Sequence, residues 1–261
     1  MQQMQSKWQR KDIMQTYITG DKHGDFQSPN DYIKLRGFCE QRSTTKDDVM
    51  IVLGDHGIHY DEGKHDTYCR SSLSYFPITF VMIRGNHDMR PRKEWEHVEI
   101  DRENLKGWFW KDPDYDNILY TDEYGWYKFG DKDVFVIGGA YSADKFYRLE
   151  RQRLGYTNAR WFEDEQLNEE ERAEAQKLLL EHEGPFWIAS HTCPIRYTPR
   201  EMFLPMVDQN TVDNSMEIWL DDTLAEIWKR QMDLREWYCG HWHTDKVDDI
   251  MMFMYHDIRE F

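Results

Sequence analysis

The stretch Ile78-Thr79-Phe80-Val81-Met82-Ile83-Arg84-Gly85-Asn86-His87-Asp88 decides how this chain is read. Its opening is short, β-branched and aromatic, the composition of a buried strand, and the glycine breaks it into a loop. That loop then presents an amide, an imidazole and a carboxylate in succession. Four more clusters of the same chemistry end other apolar runs. They are Asp21-Lys22-His23-Gly24, Gly54-Asp55-His56-Gly57, Ser190-His191 and Gly240-His241-Trp242-His243.

Outward from this stretch, apolar runs at 16–19, 48–53 and 78–83 alternate with helical spacing over 31–42 and 65–75. This β-α-β-α-β order predicts a parallel sheet with helices outside it. Further strands are expected at 134–139, 186–189, 237–239 and 250–255. Helices are expected at 168–183, where Asn168 caps a glutamate run, and at 215–232. Residues 91–127 are aromatic and turn-rich and read as packing or an oligomer face. Residues 1–14 form a polar lead-in. No repeat or linker interrupts the chain, so a single domain over 1–261 is expected.

Hydrophobic residues make up 39% and charged residues 31%, which places the chain among ordinary globular proteins. A net charge of −16 repels polyanions and argues against a general nucleic-acid coat, while leaving room for a small phosphate ester at a bound cation. Cys39, Cys69, Cys193 and Cys239 form no C-x-x-C pair and read as reduced thiols of a cytoplasmic protein. The chain has no apolar run near the roughly 20 residues of a membrane helix, and its start lacks the apolar segment of a signal peptide.

Five strand ends carrying metal-binding groups suit an open α/β sheet, in which ligands gather at the carboxyl ends of strands. Asp21 and His23 stand two residues apart, as do His241 and His243. In extended backbone each pair points one way and grips one ion. Asp55 is an anionic oxygen that can bridge two ions, Asn86 offers an amide oxygen, and His191 a ring nitrogen. Seven oxygen and nitrogen ligands suit two borderline divalent ions, Mn, Fe, Zn, Ni or Co, rather than calcium. His56, His59 and His65 read as a solvated loop.

These motifs, in this order from Gly20 to His243, resemble the calcineurin-like metallophosphoesterases. The Gly138–Lys145 run and Trp161-Phe162-Glu163-Asp164-Glu165 look like a bacterial and phage branch of predicted phosphoesterases. The resemblance implies a four-layer α/β/β/α sandwich with two central mixed sheets. It implies two divalent ions, manganese foremost: one on Asp21, His23 and His243, the other on Asn86, His191 and His241, with Asp55 between them. A hydroxide held between the ions would attack a phosphodiester or phosphomonoester, with His87 beside the leaving group as acid or phosphate donor. Many relatives carry Gly-Asp-x-x-Asp, whose last carboxylate pairs with that histidine. Ile58 stands there in this chain, and Asp61 lies at another spacing, which favours diesters or activated esters.

Arg84, Lys145 and Arg148 are the candidate substrate contacts, the last two from a locally basic segment in an acidic chain. A small phosphate ester is the expected partner, with a nucleotide or short nucleic acid as further possibilities and no membrane. The residues leave open a nuclease acting on DNA or RNA ends, a phosphoprotein phosphatase and, least favoured, a non-catalytic protein-binding scaffold.

Overall fold

The computed structural model describes residues 14–23, 29–60, 63–156 and 160–261. All of the expected lead-in except Met14, together with Gly24 and Asp61, lies outside the described residues.

The opening alternates as expected: β1 (Thr16–Thr19), α1 (Pro29–Arg42), β2 (Val49–Leu53), α2 (Lys64–Ser74) and β3 (Thr79–Ile83). Every residue of β2 and β3 is buried, because each strand has a neighbour on both edges and side chains packed on both faces. The aromatic stretch then forms β4 (His97–Arg102), β5 (Leu105–Lys111), β6 (Ile118–Thr121) and β7 (Tyr124–Phe129), followed by β8 (Lys132–Ile137). The rest is α3 (Lys145–Arg153), α4 (Glu169–Leu180), β9 (Pro185–Ser190), α5 (Ser215–Lys229), β10 (Asp233–Cys239), β11 (Lys246–Asp248), β12 (Met251–Phe253) and β13 (Ile258–Glu260).

The protein is thus a mixed α/β fold with one large curled sheet and, among the described residues, five α-helices. The two expected sheets are arms of a single hydrogen-bonded ladder. One arm runs β6-β3-β2-β1-β13 and the other β8-β9-β10-β12-β11, with β5 and β7 between them. The join is narrow: β5 pairs with β7 only through Leu105↔Phe129 and Lys106↔Lys128. Residues 91–127, read as packing or an oligomer face, therefore supply the link between the arms. Strands β1, β2, β3 and β6 run parallel, as do β8, β9, β10 and β12, so within each arm these strands end on one edge.

The core lies in three apolar clusters. The inner one joins Ile18, Ile51 and Val81 of the first arm to Val134, Val136 and Ala189 of the second. A second covers the outer face of the first arm, where Met50, Phe80 and Met82 meet Leu35 and Cys39 of α1 and Leu73 of α2. The third sets Phe135, Ile188 and Trp237 against Leu179 of α4 and Leu220, Leu224 and Ile227 of α5. Burial of large side chains in such clusters contributes roughly 1.5–3 kcal/mol each relative to exposure. All four cysteines are buried free thiols. No described helix is long and apolar enough to cross a membrane.

Candidate metal centre

Asp21, Asp55 and Asn86 follow β1, β2 and β3, while His191 and His241 follow β9 and β10. The parallel order brings these strand ends together from both arms, and all seven expected ligands meet there. Two glycines allow the approach. A Cβ on Gly54 would overlap the His191 ring, and one on Gly240 would overlap the Asp21 carboxylate.

One group consists of Asp21, His23 and His243. His23 Nε2 lies 2.8 Å from His243 Nε2, and His243 Nε2 lies 3.2 Å from Asp21 Oδ2. The second consists of Asn86, His191 and His241. Asn86 Oδ1 stands 2.8 Å from His191 Nε2 and 3.1 Å from His241 Nδ1. Asp55 lies between the groups, with Oδ1 3.5 Å from His191 Nε2 and Oδ2 3.8 Å from His23 Nε2. Two donor sets, Asp21–His23–His243 and Asp21–Asp55–His191, each keep their ligand atoms within 4.8 Å of one another.

The pairing expected from extended backbone fails at His241 and His243, which face different groups. The reason is local conformation. His23, Asp55, His241 and His243 have φ of 44°, 44°, 65° and 47°, in the left-handed region that non-glycine residues seldom adopt. Left-handed turns send side chains in directions that strand alternation does not predict. Such conformations each cost on the order of 1–3 kcal/mol and persist where surrounding structure enforces them.

The surroundings orient the donors. His191 Nδ1 donates to the Leu53 carbonyl at 2.7 Å, which turns Nε2 toward Asn86 and Asp55. Asn86 Nδ2 donates to Ser142 Oγ at 2.9 Å, and Ser142 Oγ donates in turn to Glu165 Oε2 at 2.5 Å. This chain fixes the amide with its oxygen facing the two imidazoles. Sequence reading assigned Ser142 and Glu165 no role; both sat in the runs similar to the phosphoesterase branch, and that was the only signal. Asp88, buried, accepts from Gly85 N at 2.8 Å and braces the loop carrying Asn86 and His87.

Charge defines what the cluster accepts. Burial alone would raise the Asp55 carboxyl, yet His87, His191 and His23 around it hold it well below the usual carboxylate range. Burial pushes His241 down to about 3, so its ring is neutral near neutral pH. A hydrogen bond to Asp21 raises His243. Asp21 Oδ2 is buried, with His243 Nε2 at 3.2 Å. Two buried carboxylates among imidazoles and an amide oxygen form an anionic nitrogen and oxygen donor set, which fits divalent cations of the borderline class.

His87 donates its backbone N–H to Asp55 Oδ1 at 2.9 Å, and its ring Nε2 faces Asp55 Oδ2 at 3.6 Å and Arg148 Nη2 at 3.4 Å. Ile58, where the resemblance led to the expectation of a carboxylate, is buried in the apolar cluster under the first arm. Burial and then the Arg148 charge outweigh Asp55 and bring His87 down to about 4. Arg148, from α3, is held by Asp144 at 2.7 and 2.8 Å and by the Tyr60 hydroxyl at 2.8 Å. It lines a cavity of about 400 Å³ that also contains His23, Asp55, Asn86, His87 and His241.

Arg84 and Lys145 are not among the residues lining this cavity. Arg84 is 4% exposed, with Nε on Glu123 at 2.6 Å and Nη1 on the Glu165 carbonyl at 3.0 Å, so its donors face the protein. Lys145 Nζ sits over the Trp161 ring at 4.1 Å. His56 and His59, read as solvated, are buried, and burial lowers them to about 3 and about 4. His65 is exposed.

A family model described as calcineurin-like phosphoesterase matches residues 14–245. No curated protein sequence matches the chain. Among solved structures, a phosphopantetheinyl hydrolase from Mycobacterium tuberculosis is similar at 12% identity and a TM-score of 0.47, over 92% of this chain and 88% of that one. A protein described as a 5′-nucleotidase from Staphylococcus aureus, in complex with α-ketoglutarate, is similar at 12% identity and a TM-score of 0.44, over 94% of this chain and 49% of that one.

Proposed function

Since the chain belongs to the calcineurin-like phosphoesterase family, we propose that it hydrolyses phosphoric esters at a centre for two divalent ions. Asp21, His23 and His243 would hold one ion, Asn86, His191 and His241 the other, and Asp55 would serve both. The observation that carries this reading is the position of Asp55, whose two oxygens face His191 and His23 in separate donor groups. Bound ions supply Lewis acidity, lowering the pKa of a water and neutralising phosphoryl oxygens.

The protein's own groups then bind and orient the ester. Arg148 is locked by Asp144 and Tyr60 with Nη2 turned toward His87, so it offers a fixed positive charge at the cavity wall. His87, neutral near neutral pH, donates a ring N–H to a phosphoryl or leaving-group oxygen rather than carrying a charge. Because burial and Arg148 outweigh Asp55, His87 is rarely protonated near neutral pH and is a weak proton donor. Diesters and esters with good leaving groups are therefore the preferred substrates. Manganese is the first ion to test. The phosphoprotein phosphatase reading drew on Arg84, and its ion pair with Glu123 and hydrogen bond to the Glu165 carbonyl take away that support.

The test uses metal-stripped protein refilled with Mn, Zn, Fe, Ni or Co, acting on p-nitrophenyl phosphate and bis-p-nitrophenyl phosphate. Turnover should require metal, favour the diester, and fall at least a hundredfold in Asp55→Asn, the order of loss seen when a key electrostatic group is removed. Metal-independent turnover, or an Asp55→Asn variant with full activity, would sink the proposal.

A further inference from the structure

The cavity over the ion donors has another wall that the hydrolytic reading does not use. Phe203 and Trp242 stand there with ring centroids 6.0 Å apart, and Tyr141, Leu204 and Val212 extend the surface. Into this apolar wall comes one acidic side chain, Glu217, from the first turn of α5. Glu217 lies on the stripe Glu217–Leu220–Leu224–Ile227 that α5 buries, and it is 3% exposed. Its Oε1 accepts from Thr192 Oγ1 at 2.8 Å, while Oε2 has no hydrogen-bond partner among the described residues. Trp242 Nε1 is likewise buried without one. A buried carboxylate oxygen left unpaired costs free energy that a bound donor recovers.

We propose that this wall is a subsite for the organic group of the ester, a flat heteroaromatic ring bearing an N–H, such as the base of a nucleoside phosphate. Glu217 Oε2 accepts that N–H, and Trp242 and Phe203 supply the apolar face. Aromatic side chains stack on any planar base, and a single polar group sets which one is chosen. Glu217 is thereby a specificity residue, and Trp242 joins the two candidate ligands His241 and His243 to the substrate wall. The proposal rests on the phosphoesterase reading, because the ring is attached to the phosphate held there.

Inosine and 1-methylinosine are the probes, since methylation removes the only N–H of that base. Binding is followed by tryptophan fluorescence and calorimetry on the full chain, with and without manganese, and needs no turnover. Inosine should bind about tenfold more tightly than 1-methylinosine, the effect of a hydrogen bond to a buried acceptor otherwise left unpaired. In Glu217→Leu the preference should shrink to within twofold. Glu217→Gln, closer in shape, serves if the leucine variant does not fold, and should lower the preference at least threefold. Equal binding of both nucleosides to the unaltered protein, or no binding of either, overturns the subsite. So does tighter binding of phosphoethanolamine, which would make Glu217 an ammonium site. Turnover of p-nitrophenyl phosphate with no nucleoside preference leaves the phosphoesterase reading standing and removes the subsite. Nucleoside preference without turnover under any metal leaves a ring-binding pocket but removes the phosphoesterase reading and, with it, the assignment of that pocket to the ester's organic group.

Discussion

Asn86 shows how much of the candidate centre depends on one amide. Its oxygen faces His191 and His241 only because its NH₂ is taken by Ser142, itself fixed by Glu165. In Ser142→Ala the amide is free to rotate and present a donor to the imidazoles. Loss of such an orienting contact typically lowers metal affinity 10–100-fold. Calorimetric titration of stripped Ser142→Ala with manganese should show that drop at one of two sites, with the other site near its usual affinity. Equal weakening at both sites, or none, would refute the assignment of Asn86 to a single group. Residue types at this scale were legible in the chain, because Asp, Asn and His at five strand ends have few other uses. Their directions were not. Alternation along a strand failed for His241 and His243 once the backbone entered the left-handed region, which no residue type other than glycine announces.

Elements carry the loops to their places. α4 begins with a reciprocal capping box, in which the Glu171 amide donates to Asn168 Oδ1 at 3.0 Å and the Asn168 amide donates to Glu171 Oε2 at 2.9 Å. Glu171 also holds Arg90, three residues beyond His87, so the start of this helix is tied to the loop bearing the candidate acid. Asn168→Ala should cost about 1 kcal/mol of stability. Urea unfolding should show a lower midpoint with an unchanged slope. A loss under about 0.3 kcal/mol would mean that Arg90 and the packing of Leu179 hold the helix without its cap. Strands ending in the site were readable because both faces are buried, which leaves an unbroken apolar run. β4 to β7 were not. β4 has no fully buried residue, and Trp108, Trp110, Tyr124 and Trp126 along β5 and β7 lie partly in solvent, so the strand period is masked by side chains that suit either environment.

At the scale of the molecule, the buried carboxylates Asp21 and Asp55 share His191, whose nitrogens lie 3.8 and 3.5 Å from them. Divalent ions relieve that concentration of charge, and binding only to the folded state stabilises it. Calorimetric scans should place the melting temperature of manganese-loaded protein several degrees above that of chelated protein. Saturation at 100 times Kd gives about 2.7 kcal/mol, and each kcal/mol shifts a chain of this size by about 2–4 °C. Asp55→Asn should melt at or above the chelated unaltered protein and respond less to manganese. A large manganese shift kept in Asp55→Asn would place the ions elsewhere. The family was readable from the order of the motifs, and residues 14–245 bear it out. The union of both arms in one ladder was not, because β5 and β7 meet through two residue pairs that leave no pattern in the chain.

That division into arms has a consequence for how the protein comes into being. Asp21, His23, Asp55 and Asn86 follow strands of the first arm, whereas His191, His241 and His243 follow strands of the second. Synthesis reaches His191 only 170 residues after Asp21. Until then the early residues amount to scattered weak chelators, unable to capture an ion in working order. In the proposed reading, competence therefore arrives only once His191, His241 and His243 have joined the first arm.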